Sequence, residues 1–453
     1  MTLILLIVIP LVMAVPVYLL KPHRWAAVSV SLAAIVVSIG VCSRSPLNEP
    51  VSVLGRELVL DDLNRFLLLF ILGVASVLIL SAWRVVSQLS AFFPELLLIV
   101  GLLNAAMMLR NFLISVLLLE MAGLLFVFIA QGERPLSVGA AVGYLIPLVL
   151  AVPCLLPVSW LIDSHALQPD NELLVRLTVI ALSLGFGILL AAVPFHSWLP
   201  AVAEQSPSVA FASLICIFNL VILALLLDLF DVHLWLTADS NVLSVLSLGG
   251  LLTALVGGAL AFAQREPGRL LAYAAISDLG LVLVGLGTGS VSGVSAALAH
   301  AINRSLSVLL VAISLETLRS YLSQGSLSTL REGLRRTPGS MVGYIIGGLA
   351  LGGFPLTNGF ATRWLIFRAL PGDDRLYSWA LMLAGGGVVL GYLRSLFLML
   401  GPSSRPRMQR EPLLVTVLTL GLALLCLLIG LAPRSILDFV IRIMEGMSFV
   451  AAG

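Results

Sequence analysis

Lysine is almost missing from this chain of 453 residues: Lys21 is the only one, and every other basic residue is arginine. Charge of both signs is scarce, with 25 Lys+Arg against 23 Asp+Glu, 11% of the residues and a net +2. A soluble domain carries about 25% charged residues, so a soluble globular enzyme and a disordered tail are both excluded. The small basic surplus leaves no electrostatic footprint for nucleic acid. Cysteine is sparse as well. Cys42, Cys154, Cys216 and Cys426 are scattered, and no pair has metal-ligand spacing. No zinc, haem or iron–sulfur ligation is therefore expected, and no bound cofactor. No Gly-rich turn follows a strand pattern as a dinucleotide site requires, so any redox chemistry belongs to partner subunits and no catalytic residue is assigned.

What the chain has in abundance is apolar: 60% of residues are hydrophobic and the mean hydropathy is +1.12. Apolar runs fall near 1–20, 25–43, 64–83, 95–109, 111–130, 138–161, 176–194, 207–228, 241–262, 270–288, 291–315, 340–365, 377–399 and 412–432. At roughly 20 residues per membrane span, these predict an all-α polytopic membrane protein of about 14 transmembrane helices. The first run has neither a basic leader nor a small-residue cleavage site, so it reads as a helix and not a removed signal. Alternating from an outside N-terminus, the inside loops collect Lys21, Arg24, Arg84, Arg134, Arg265, Arg269, Arg319 and the arginines of 331–336 and 405–410. That excess predicts both termini outside, in a bacterial inner membrane.

Two runs contain helix breakers. The seventh ends in Pro194 and continues Pro-Phe-His-Ser-Trp-Leu-Pro to Pro200; the twelfth holds Gly352, Gly353 and Pro355. Proline removes a backbone donor, and irregular backbone survives at membrane depth only where protein or an aqueous cavity satisfies it. Broken helices in comparable positions of two halves point to ion transport. At the C-terminus, Arg434, Asp438 and Arg442 recur at four-residue spacing among apolar residues, which predicts an amphipathic helix on the membrane surface or against a neighbour.

Two stretches carry a family resemblance. Residues 194–227, PFHSWLPAVAEQSPSVAFASLICIFNLVILALLL, resemble the PFHxWLPxAxxxxPxxxSAxL signature of antiporter-like membrane subunits; residues 269–310 contain RLLAYAAISDLGLVLVGLGTG and AALAHAINRSLSVLL, similar to KRLLAYSSIxxxGYxxLGLG and HxxNHAxxKxxLF. The pieces 59–63, 111–120, 331–338 and 351–363 resemble further family motifs in the same order. The family serves respiratory complex I (NADH-quinone oxidoreductase), membrane-bound hydrogenases and Mrp-type sodium/proton antiporters. The resemblance implies two inverted five-helix repeats, with the seventh and twelfth helices broken. It divides the chain into an N-terminal helical region (1–93), a first repeat (94–230), a second repeat (240–400) and a last span with the amphipathic segment (411–453).

The same resemblance implies a mid-membrane line of ionisable groups. Relays need groups that burial can bring near working pH. Glu120 matches the family glutamate, His300 the family histidine and Asn303 its asparagine, with Arg304 in place of a second histidine. The cationic relay positions fall on Leu189, Leu220, Val308 and Arg363. Three are apolar, and arginine does not give up and regain a proton as lysine does. Glu120, His300, Arg304 and Arg363 are thus the relay candidates, while Pro194, His196, Trp198, Pro200, Asn303 and Pro355 are structural motif residues, Trp198 as an interfacial anchor. Asp278 and Glu316 are expected in ion pairs, with Arg304 and Arg394 as candidate partners.

The reading is an antiporter-like membrane-arm subunit of a complex I-like, redox-driven proton-translocating assembly. Its relay is degenerate, its role leans towards scaffold, and its partners are other membrane subunits and lipid. The alternative is a subunit of an Mrp-type antiporter, a hydrogenase complex or a proton-coupled inorganic-carbon uptake complex.

Overall fold

A computed structural model describes residues 1–53, 55–85, 91–131, 138–238, 240–321, 337–370, 375–400 and 411–451. The helices are α1 (Thr2–Leu19), α2 (Arg24–Arg44), α3 (Asp62–Val85), α4 (Phe92–Met108), α5 (Phe112–Gln131), α6 (Val138–Leu167), α7 (Glu172–Leu189) and α8 (Trp198–Gln205). They continue with α9 (Ser208–Val232), α10 (Val242–Ala263), α11 (Pro267–Gly287), α12 (Val291–Tyr321), α13 (Pro338–Gly352), α14 (Asn358–Ala369), α15 (Arg375–Met399), α16 (Leu413–Leu431) and α17 (Arg434–Met444).

Twelve helices among the described residues are long and apolar enough to cross a membrane. The expected fourteen is not met on that measure, because α4 and α13, though apolar, have only 17 and 15 residues. At about 1.5 Å per residue they rise roughly 26 and 23 Å, short of a hydrocarbon core of about 30 Å. The all-α class holds, with one short hairpin outside the helices: β1 (Val51–Val53) and β2 (Arg56–Leu58) pair antiparallel, Val51 opposite Leu58. A left-handed Gly55, φ +75°, lets that turn close. The arginines of 132–137, 322–336 and 401–410 used in the orientation argument lie outside the described residues, as does most of the 331–338 motif.

The chain divides into two compact units. The first comprises Met1–Trp83, Ser87–Leu190 and Ile217–Ser240; the second comprises Arg84–Val86, Ala191–Cys216 and Asn241–Gly453. In the first, α1 packs on α4 and α5 on α6. Asn104 donates to the Leu6 carbonyl at 2.9 Å, and the Phe126 ring meets Tyr144 and Phe218 at 4.9 and 5.6 Å. Two serines inside the apolar α2 are satisfied locally: Ser31 and Ser38 donate to carbonyls four residues back, so these hydroxyls are not left bare in an apolar medium.

The second unit is built on close helix approaches. A Cβ on Gly257 or Gly280 would meet the facing backbone of α11 or α10, and Gly258 lies against Ala384 of α15. Small residues let helices touch where no hydrophobic driving force draws them together. The long α12 starts at a side-chain cap, Ser290 Oγ accepting from the Gly293 N–H at 3.1 Å, and is buried along its span. Around it sit α11, α13, α14 and α17. The C-terminal α17 is amphipathic: Val440 and Met444 are buried while Arg434, Asp438 and Arg442 are exposed. Large exposed side chains such as Leu5, Phe128, Leu383 and Leu413 form surfaces suited to lipid or to neighbouring subunits.

Candidate functional site: charge buried at two broken helices

The second unit contains both breaks. The first separates α7 from α8 and α9. Helix α7 stops at Leu189, five residues before Pro194, and Ala191 takes φ +58°. The freed Val193 N–H donates to Thr253 Oγ1 at 3.0 Å, and Thr253 donates in turn to the Gly249 carbonyl at 2.6 Å. The gap between α8 and α9 is clamped by two residues of α12. Arg319 reaches the carbonyls of Ala203, Glu204 and Ser206 at 3.2, 3.4 and 3.3 Å and the Ser208 hydroxyl at 3.0 Å. Glu316, 1% exposed, accepts the Ser208 N–H at 2.5 Å. A cation thus meets the C-terminal end of α8 and an anion the N-terminal end of α9, each complementing the helix dipole. Arg269 adds an ion pair to Glu204 at 2.7 Å.

The second break separates α13 from α14. Gly353 takes the left-handed conformation, φ +73°, and caps α13. The Leu351 carbonyl, left without a helical donor, is taken by Arg363 Nη2 at 2.6 Å. The same nitrogen donates to Asp278 Oδ1 at 2.7 Å. His300 Nε2 lies 3.0 Å from that oxygen, and its Nδ1 lies 2.8 Å from Thr362 Oγ1. All three ionisable side chains are buried, at 5% exposure or less. Below them α12 is stitched to α14 by reciprocal amides: Asn303 Nδ2 donates to the Asn358 carbonyl at 3.2 Å, Asn358 Nδ2 to the Asn303 carbonyl at 3.0 Å, and Ser307 Oγ to Asn358 Oδ1 at 3.2 Å.

These contacts sort the sequence expectations. Asp278 does form an ion pair, but with Arg363 and not with Arg304 or Arg394. Arg304 Nε donates to the Ala275 carbonyl at 3.0 Å, and Arg394 donates to the Gln264 carbonyl. Glu316 binds a backbone N–H in place of an arginine. His300, Asn303 and Arg363 come together; Arg304, one helical turn from His300, faces α11. Leu220 and Val308 are buried and Leu189 partly so, so no cation stands at those positions. Glu120 belongs to the first unit. It is partly exposed instead of sealed, because it flanks an outward stripe of α5 formed by Leu117, Met121, Leu124 and Phe128; no ion pair to it is found among the described residues. Trp198 is buried, 8% exposed, and so packs inside the unit. His196 lies in the turn before α8, its ring 6.3 Å from Tyr273. Pro200 is buried, whereas Pro194 and Pro355 are exposed.

The sequence reading missed Thr362, Asn358 and Thr253 as partners. An isolated Asp inside the apolar run AAISDLGL was the signal that a cation had to lie opposite, but only the fold tells which one. Among the described residues no group of three or more His, Cys, Asp or Glu side chains is placed to hold a metal. Outside the spans, burial and then the neighbouring Glu204 push the Glu266 carboxyl above its ordinary value, against the pull of Arg319 and Arg269.

Apolar helices able to span a bilayer, two of the chain's helical passages interrupted, and arginine, aspartate and histidine sealed beside the interruptions define a polytopic membrane protein of the antiporter-like class. The family model described as NADH:quinone oxidoreductase/Mrp antiporter, TM, matches residues 116–391, and the chain belongs to that family. It is 27% identical to NADH-quinone oxidoreductase subunit N of Parafrankia sp. over 61% of this chain and 53% of that one, so it spans about half the length of that relative. It is 29% identical to NADH-quinone oxidoreductase subunit N 2 of Acidobacterium capsulatum over 90% of each chain. In fold it is similar to a chain of an archaeal respiratory membrane complex, the membrane-bound sulfane sulfur reductase. The TM-score is 0.86 and the identity 18%, over 99% of this chain and 98% of that one.

Proposed function

We propose that this chain is a membrane-arm subunit of a complex I-like, redox-driven assembly in which it serves as scaffold, its own side-chain proton relay being degenerate. One observation carries the reading: the single cation left at a relay position, Arg363, is tied to Asp278 and to the Leu351 carbonyl. A guanidinium stays charged, so it neutralises a carboxylate and caps a broken helix without passing a proton on. Leu189, Leu220 and Val308 offer nothing that titrates. Neighbouring subunits and lipid cover the exposed apolar faces, and iron–sulfur or flavin chemistry resides in partners. In this reading α4 and α13 also cross the bilayer, giving fourteen spans in two inverted repeats over 94–230 and 240–400. Both termini face outward from a bacterial inner membrane.

The family also includes Mrp antiporter subunits, which supports a second reading as an ion-exchange subunit. Gentle extraction followed by mass spectrometry separates the two. Co-purifying iron–sulfur and flavin subunits support the redox arm, whereas recovery with small membrane subunits alone supports ion exchange. Proton flux by the reconstituted assembly then tests the scaffold. Flux is expected to survive Glu120→Gln and His300→Asn, and its collapse in either variant refutes the degenerate relay.

A further inference from the structure

The first unit holds a carboxylate pair that the proposed function does not use. Asp61 caps α3. Its Oδ1 accepts the Asn64 backbone N–H at 2.7 Å, and its Oδ2 accepts Asn64 Nδ2 at 2.9 Å and Arg110 Nη2 at 3.3 Å. The same Asn64 Nδ2 reaches Asp228 Oδ2 at 3.2 Å, one turn before the end of α9. Asn64 is 1% exposed, Asp228 is half-buried, and the Asp61 side chain is 21% exposed. The charged groups around Asp228 are Asp61, Arg110 and Asp231. The guanidinium of Arg110 already binds Asp61.

The decisive atom is Asn64 Oδ1. It is buried and accepts no hydrogen bond, although its own amide nitrogen lies between two carboxylates. A primary amide has two donor hydrogens and one acceptor oxygen. Two ionised carboxylates engage only the donors, and a buried acceptor left idle costs about 1–3 kcal/mol. A protonated carboxyl engages both sides at once: its carbonyl oxygen accepts one N–H while its own O–H donates to the amide oxygen. The second N–H remains on Asp61. We propose that Asp228 is a proton-binding site in contact with the aqueous phase, and that Asn64 recognises its protonated form by this two-point acid–amide pair. The proton comes from water and bonds to a carboxyl oxygen of Asp228. The O–H bond that held it in a hydronium ion breaks, leaving water, and the negative charge of the cluster falls by one.

The test is infrared difference spectroscopy on the assembled complex in membranes as pH is stepped through neutrality. A protonated-carboxyl carbonyl band is expected to grow on acidification, to vanish in Asp228→Asn and to persist in Asp231→Asn. Asn64→Leu is expected to weaken proton binding about tenfold, moving the band's midpoint down by about one pH unit. No such band in the unmodified complex, a band that survives Asp228→Asn, or a midpoint unmoved by Asn64→Leu overturns the proposal. So does a band that answers to sodium at fixed pH and not to pH, since that assigns the oxygens to a metal cation.

Discussion

Replacing Asp278 by Asn tests whether the charge cluster at the second break is an energetic unit. The change keeps the side-chain volume but leaves Arg363 with the Leu351 carbonyl as its one remaining acceptor of the two described. Removing one member of a buried ion pair costs about 3–5 kcal/mol, because the other charge stays desolvated and unpaired. Arg363→Met is the milder change. It strands the Leu351 carbonyl, at about 1 kcal/mol, while Asp278 keeps His300 3.0 Å away. The double variant removes both charges, and replacing a buried pair by apolar groups is often neutral. Asp278→Asn with Arg363→Met should therefore be more stable than Asp278→Asn alone, with a coupling of about 2 kcal/mol or more. Thermal unfolding of the purified protein in detergent, followed by tryptophan fluorescence, reads all four members of the cycle. If the two single losses simply add, or if Asp278→Asn is tolerated to within about 0.5 kcal/mol, the cluster does not bear the energy assigned to it.

Further outcomes can be checked on the same material. Thr253→Val strands the Val193 N–H at the first break and should cost about 1–3 kcal/mol; an unchanged melting temperature would refute that anchoring role. Gly359→Ala drives a Cβ onto the Ala350 carbonyl, an overpacking of about 1–3 kcal/mol, and should lower the melting temperature where Gly386→Ala, which meets open space, does not. The Glu266 carboxyl is raised by burial and by Glu204, so the folded chain keeps that proton to higher pH than the unfolded chain does. Its contribution is present in acid and is lost as pH rises through the raised value. Glu266→Gln should therefore stabilise the protein at neutral pH and make no difference below the ordinary carboxylate range, a trend that melting curves across pH would reveal.

Much of the fold was legible because hydropathy is a local property. A run such as 412–432 has no soluble alternative, and α16 (Leu413–Leu431) follows it closely. The breaks were legible too, since Gly353 and Pro355 fall close together and each disfavours a continuing helix. Their exact form was not: α7 ends at Leu189 and not at Pro194, where the chain finds a hydroxyl, Thr253, on a helix sixty residues away. Partner choice was the least readable layer. Asp278 announced that it needed a cation, but the sequence offered Arg304 and Arg394, and only the folding back of α14 brought Arg363 to it. The outward position of Glu120 was likewise hidden, because the apolar residues around it read the same whether they face protein or lipid.

Helix α12 touches the second break through His300 and Asn303 and clamps the gap after α8 through Glu316 and Arg319, so it works as a ruler with marks at both ends. One residue inserted between the marks would turn one set of side chains by about 100° relative to the other. A whole extra turn would restore the angle but slide the marks about 5 Å apart. The stretch from 300 to 319 therefore tolerates changes of residue far better than changes of length. Functional homologues should vary in composition along it while keeping its count fixed.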